Sequence, residues 1–85
     1  MKTLEYTVKD SLGIHARPAG LLVKCAKEQN SKITIEKGEK SADATKLFAV
    51  MGLGVRCGET ITVKVEDGDE DASLFAVQKF LEENL

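Results

Sequence analysis

The sequence predicts an α+β fold in the order βαββαβα, a mainly antiparallel sheet with its helices packed on one face. Three observations predict it. Several short segments alternate apolar and polar residues every second position, which gives a sheet one buried and one wet face. Between them lie stretches whose apolar residues recur at helical spacing. Turn residues punctuate the joins, with no linker, low-complexity tract or internal repeat, so the whole of 1–85 is expected to fold as one domain.

The elements follow in order. Leu4-Glu5-Tyr6-Thr7-Val8 alternates as a strand, and Asp10 to Gly13 is turn-like. From Ala16 to about Glu28, Ala19, Leu22, Val23 and Ala26 form one apolar stripe, so a helix is expected with that stripe in the core. Lys32-Ile33-Thr34-Ile35-Glu36 is a second strand. The turn at Lys37-Gly38-Glu39 leads into a short strand near Lys40 to Ala42, which makes a hairpin. Leu47 to about Leu53 is a short apolar helix that Gly54 stops. The clearest strand is Glu59 to Glu66. Asp67-Gly68 then turns the chain, and Asp69 caps a last helix with Glu70 and Asp71 in its first turn and Leu74, Val77 and Leu81 as its buried stripe.

Bulk properties remove several classes of function. The net charge of −2 lacks the basic excess that nucleic-acid binding calls for. The longest apolar run, Leu47 to Val55, is far short of the roughly 20 residues a membrane span takes. Met1-Lys2-Thr3 leads directly into an alternating segment with no signal peptide, and a cytoplasmic protein is expected. Cys25 and Cys57 stand apart, without metal-ligand spacing, and are expected as free thiols.

The chemistry concentrates in Gly13-Ile14-His15-Ala16-Arg17-Pro18-Ala19, which holds the only histidine. Proline suits the first turn of a helix, so His15 falls at or just before the N-cap. The free backbone N–H groups of that turn make a ready anion site, so the helix N-terminus formed by Ala16, Arg17 and Pro18 is expected to bind phosphate. Arg17 adds a planar, always-charged fork of donors suited to phosphate. Attack on phosphorus needs the neutral imidazole. A dianionic phosphoryl group on that ring would then meet both the helix dipole and Arg17.

This seven-residue stretch resembles the active-site signature of the HPr family, the phosphocarriers of the bacterial phosphoenolpyruvate:sugar phosphotransferase system. Chain length, element order, the Lys46-Leu47-Phe48-Ala49-Val50-Met51-Gly52-Leu53-Gly54 segment and the last helix agree with it. The resemblance implies an open-faced β-sandwich, a four-stranded antiparallel sheet under three helices. It also implies that His15 accepts a phosphoryl group on Nδ1 from enzyme I and passes it to IIA domains of sugar permeases. In that role Arg17 stabilises the transferring group, and the protein is a carrier rather than a self-contained enzyme. No cofactor or metal of its own is implied, and a monomer is expected because docking needs the His15 face free. A regulatory binding module of the same fold, phosphorylated on His15 without sugar flux, is the alternative.

Arg17, Gly20, Leu21, Lys24 and Lys27 fall opposite the core stripe of the first helix. The family implies that residues matching Leu47, Phe48 and Met51 form an exposed apolar patch beside the histidine. Together they predict an apolar docking centre rimmed by Lys24, Lys27 and Lys46, steering acidic partners. One departure stands out. Many family members carry a kinase-regulated serine where this chain has Lys46, a poor N-cap, so Thr45 is expected to take over the cap and move the helix start by one residue. Asp67, Asp69 and Asp71 imitate the start of a calcium loop, but Ala72 and Gln78 occupy the positions that need glycine and glutamate.

Overall fold

The computed structural model describes residues 1–85. Its elements are β1 (Lys2–Thr7), α1 (Ala16–Lys27), β2 (Lys32–Lys37), β3 (Lys40–Asp43), α2 (Leu47–Gly52), β4 (Thr60–Glu66) and α3 (Glu70–Asn84). They form an α+β open-faced sandwich: one sheet in the order β1-β4-β2-β3, with every neighbouring pair antiparallel, under three helices.

The alternation in the sequence sets the two faces of the sheet. Val63 of β4 sits opposite Leu4 on one side and Ile35 on the other, and Ile35 sits opposite Ala42. These residues, with Ile33, Ile61 and Val65, turn inward; all but the half-buried Leu4 are buried. Their neighbours Thr34, Glu36, Thr62 and Lys64 turn outward, and Lys64 pairs with Glu36 at 2.8 Å across the strands. The helices close the core with Ala19, Leu22, Val23 and Ala26 from α1, Val50 from α2, and Val77 and Leu81 from α3.

Two expectations are corrected. Leu74 packs against the core but is only half-buried, and Ser73, one residue earlier on α3, is fully buried. That serine is tolerated because its hydroxyl donates to Ser31 Oγ at 2.7 Å, which satisfies a polar group that would otherwise be costly to bury. Thr45 does not take over the cap of α2: Lys46 remains at the N-cap with no side-chain bond, and the Thr45 hydroxyl donates backward to Asp43 Oδ1 at 2.6 Å. Gly54 stops α2 as expected; its φ of +63° admits glycine at low cost, and its N–H donates to Met51 O.

Candidate phosphoryl-acceptor site

The site lies where the loop after β1 enters α1. His15 is the N-cap of that helix, with φ −93° and ψ −176°, and its carbonyl accepts from Ala19 N–H at 2.9 Å. No side chain caps the helix and no acidic residue stands in its first turn. The N–H groups of Ala16 and Arg17 therefore point outward without an acceptor. Pro18 corrects part of the expected anion site. It is buried at the third helical position and has no N–H to donate, so it shapes the turn while Ala16 and Arg17 supply the donors.

The loop is built to hold the imidazole at the surface. Asp10 Oδ1 accepts from Leu12 N–H at 2.8 Å, and Asp10 O accepts from Gly13 N–H at 2.9 Å, which winds the turn. Gly13 has a φ of +68°, and a Cβ there would lie 2.2 Å from Val55 O and 2.7 Å from Arg56 Cα. Only glycine lets the two loops approach this closely. Ile14 then donates its N–H to Val55 O at 3.0 Å and buries its side chain. With Ile14 anchored, His15 stands 37% exposed at the helix start. Its Nε2 faces Asp10 Oδ1 at 3.8 Å.

His15, Arg17, Pro18 and Leu21 line one open depression of about 360 Å³ together with Asp10, Glu83 and Asn84. The last three were not anticipated. Asp10 had a local signal, a turn-forming aspartate shortly before the histidine. Glu83 and Asn84 had none: the end of α3 reaches the site because Leu85 O accepts from Lys9 N–H at 2.6 Å and Asp10 N–H at 2.8 Å. Arg17 is exposed and forms no ion pair, so its guanidinium is free for an incoming anion.

The docking residues divide by burial. Lys24 and Lys27 are exposed in the last turn of α1. Gly20 is half-buried, and a Cβ there would meet nothing within 4 Å, so no contact inside the fold requires glycine. α2 packs against α1. These helices leave three large apolar side chains exposed: Leu21 at 43%, Phe48 at 85% and Met51 at 36%. Leu47 is half-buried against the core, while Val50 and Leu53 are fully inside it. Leu12, exposed in the histidine loop, is a further apolar side chain that the sequence did not single out.

Elsewhere the reactive groups are held by structure. Cys57 is exposed, and Cys25 is half-buried, with burial and then Glu28 pushing its thiol above the usual range. Asp69 accepts from Ala72 N–H at 3.2 Å, and Asp71 pairs with Lys2, so these aspartates do not converge. No cluster of three or more His, Cys, Asp or Glu side chains could hold a metal ion. No helix is long and apolar enough to cross a membrane.

An open-faced α+β sandwich that presents a histidine on an uncapped helix end, beside a free arginine, defines a phosphoryl-carrier type of protein. The profile described as "PTS HPr component phosphorylation site" matches residues 2–83. A phosphocarrier protein HPr of Lysinibacillus sphaericus is 43% identical over 83 residues, covering 98% of this chain and 94% of that one. The crystal structure of an HPr from Thermoanaerobacter tengcongensis superposes with a TM-score of 0.92 at 34% identity, covering 98% of this chain and 93% of that one. A dimer of HPr from the same organism matches with a TM-score of 0.77 at 34% identity, over 98% and 95% of the two chains. The chain belongs to the HPr family, the phosphocarrier proteins of the phosphotransferase system.

Proposed function

We propose that residues 1–85 act as one HPr-like unit in the cytoplasm, accepting a phosphoryl group on His15 Nδ1 from enzyme I and passing it to IIA domains of sugar permeases. The observation that carries this reading is the geometry of the helix start. Asp10 faces Nε2, which leaves Nδ1 as the nitrogen open to a donor. The Nδ1 lone pair attacks phosphorus, and the bond from phosphorus to the donor atom breaks with its electron pair leaving on the donor. The proton on Nε2 stays in place beside the Asp10 carboxylate. The phosphoryl oxygens then meet the Ala16 and Arg17 N–H groups and the Arg17 guanidinium, none of which has another partner. Glu83 and Asp10 line the same depression, so the product is only partly neutralised, as suits a group that must be handed on.

The exposed apolar side chains of α1 and α2, with Lys24, Lys27 and Lys46 as a cationic rim, serve as the surface that enzyme I and IIA domains share. The carrier works as a monomer in this reading, because both partners need the same face. Lys46 cannot take a phosphate, and the Thr45 hydroxyl is already donated to Asp43, whose carboxyl this bond holds below the usual range. In this reading the carrier is not controlled by serine phosphorylation at this position.

The chemistry is tested by incubating the protein with phosphoenolpyruvate, magnesium and a bacterial enzyme I, and following intact mass and acid lability. One acid-labile phosphate, missing in His15→Ala, is the expected result; an unmodified wild-type protein in the presence of active enzyme I would overturn it. The docking surface is tested by Phe48→Asp, which should raise KM for transfer with both partners by about tenfold, the scale of one lost central apolar anchor. Unchanged kinetics with either partner would remove Phe48 from that interface.

A further inference from the structure

The bonds inside the histidine loop wind its turn but do not by themselves fix it to the rest of the fold. Three of its backbone bonds go to the segment between α2 and β4: Ile14 N–H to Val55 O at 3.0 Å, Gly58 N–H to Val8 O at 2.7 Å, and Val8 N–H to Glu59 O at 2.9 Å. The Gly13 backbone is pressed against Val55 and Arg56 at the same place. Residues 54–59 are thus the support on which His15 rests. That support is itself irregular, with φ of +63° at Gly54 and +88° at Gly58, and has no helix or strand bonds of its own.

What fixes it is a pair of side chains far from the histidine. Lys37, the last residue of β2, donates to Gly54 O at 2.9 Å and pairs with Glu59 Oε1 at 3.0 Å. The same Glu59 oxygen accepts from Arg56 N–H at 2.7 Å, and Glu59 N–H donates to Arg56 O at 3.1 Å. These bonds tie the first, middle and last residues of the segment to the end of a sheet strand. Val55 lies between Gly54 and Arg56, so its carbonyl is held from both sides. The Lys37 bond, followed by the Arg56 N–H, also holds the Glu59 carboxyl below the usual carboxylate range.

Building on the carrier reading, we infer that Lys37 and Glu59 are positioning residues for phosphoryl transfer. They clamp residues 54–59 so that Val55 O fixes Ile14 and thereby the depth and angle of the His15 ring. Neither side chain lines the His15 depression, and neither belongs to α1 or α2. A loose clamp therefore alters how often the ring is in line for transfer and leaves docking alone. Geometric control of this kind is worth much in rate, since a displacement of about 1 Å can cost up to about a hundredfold.

The test uses Lys37→Met, Glu59→Ala and the conservative Lys37→Arg, whose guanidinium can still reach both acceptors. Hydrogen exchange is followed by NMR at the Ile14 amide and at core amides of β4, and phosphorylation by enzyme I is resolved into kcat and KM. For Lys37→Met and Glu59→Ala, Ile14 should exchange about tenfold faster while Ile61 and Val63 stay protected, and kcat should fall about tenfold at unchanged KM; Lys37→Arg should restore both. Unchanged Ile14 exchange would overturn the clamp, as would faster exchange spread equally over the core, which marks a loss of global stability. Faster Ile14 exchange at unchanged kcat would overturn its link to transfer. A wild-type protein that takes no phosphate would instead sink the carrier reading, and the exchange data would still judge the clamp.

Discussion

The starts of α1 and α3 are the same structural object treated in opposite ways. α3 is closed. Asp69 caps it by accepting from Ala72 N–H, Glu70 and Asp71 place negative charge in its first turn, and the Met1 amino group and Lys2 pair with those carboxylates. α1 has none of this: its N-cap is a histidine without a side-chain bond, and its first turn carries no acid but an arginine, placed against the dipole. One end is saturated for stability. The other is left poorer in stability so that an anion arriving from outside completes it. A helix end that forgoes cheap stabilisation beside a nucleophile marks a site more surely than the nucleophile does alone.

Giving α1 an α3-like start carries the largest expected effect. Ala16 is exposed at the first helical position, and Ala16→Glu puts a carboxylate there. The two effects have opposite signs. Folding stability should rise by about 0.3–1 kcal/mol from the dipole interaction. Phosphoryl acceptance should fall tenfold or more, since like charges a few ångströms apart near a surface cost about 1–4 kcal/mol. Urea unfolding beside the rate of acid-labile phosphate formation checks both, with Ala16→Gln as the neutral control. A stabilised variant with undiminished acceptance would show that the open end has no part in the chemistry.

The α1 half of this contrast was legible in the sequence because it is local. Histidine, arginine and proline within a few residues, followed by an apolar stripe, fix a helix start without reference to the rest of the chain. The Asp69 cap and the Glu59–Glu66 strand were legible for the same reason. Other parts were not, because distant contacts decide them. Glu83 and Asn84 enter the site only through the Leu85 carbonyl that ties the end of α3 to Lys9 and Asp10. Ser73 can be buried beside the half-buried Leu74 because Ser31, remote in sequence, offers its hydroxyl a partner. Thr45 is expected to cap α2, yet its hydroxyl turns back to Asp43: whether it accepts from the first-turn N–H groups or donates to a nearby carboxylate is a choice that residue identity does not settle.

The converse change opens the start of α3. Asp69→Ala removes the cap of α3 and should cost about 1 kcal/mol, within the usual range of about 0.5–2 for such caps. For a domain of this size, thermal unfolding should move down by about 4–8 °C per kcal/mol. Phosphoryl acceptance on His15 should not change, because Asp69 is at the far end of α3 from the residues that reach the site. A coupled loss of stability and acceptance would mean that the two helix ends are not independent.

The start of α2 is as open as that of α1 but has no nucleophile beside it, and it carries the smallest expected effect. Lys46 is its N-cap, makes no side-chain bond there, and sets a positive charge against the dipole. Lys46→Ser supplies a hydroxyl that can accept from the first-turn N–H groups, worth up to about 1 kcal/mol by the usual cap preference. The lysine is not without use, however: its charge adds to the bonds from Thr45 that keep Asp43 ionised, and the substitution forfeits that help. Asp43 is exposed, so solvent screens this loss and the cap should prevail, leaving a net gain of about half a kcal/mol. Chemical denaturation of Lys46→Ser beside Lys46→Ala separates the two, because alanine loses the lysine charge without gaining the hydroxyl. Equal stability of the two variants would show that α2, unlike α3, takes nothing from a cap, and that its short helix is held in place by the burial of Val50 against the core.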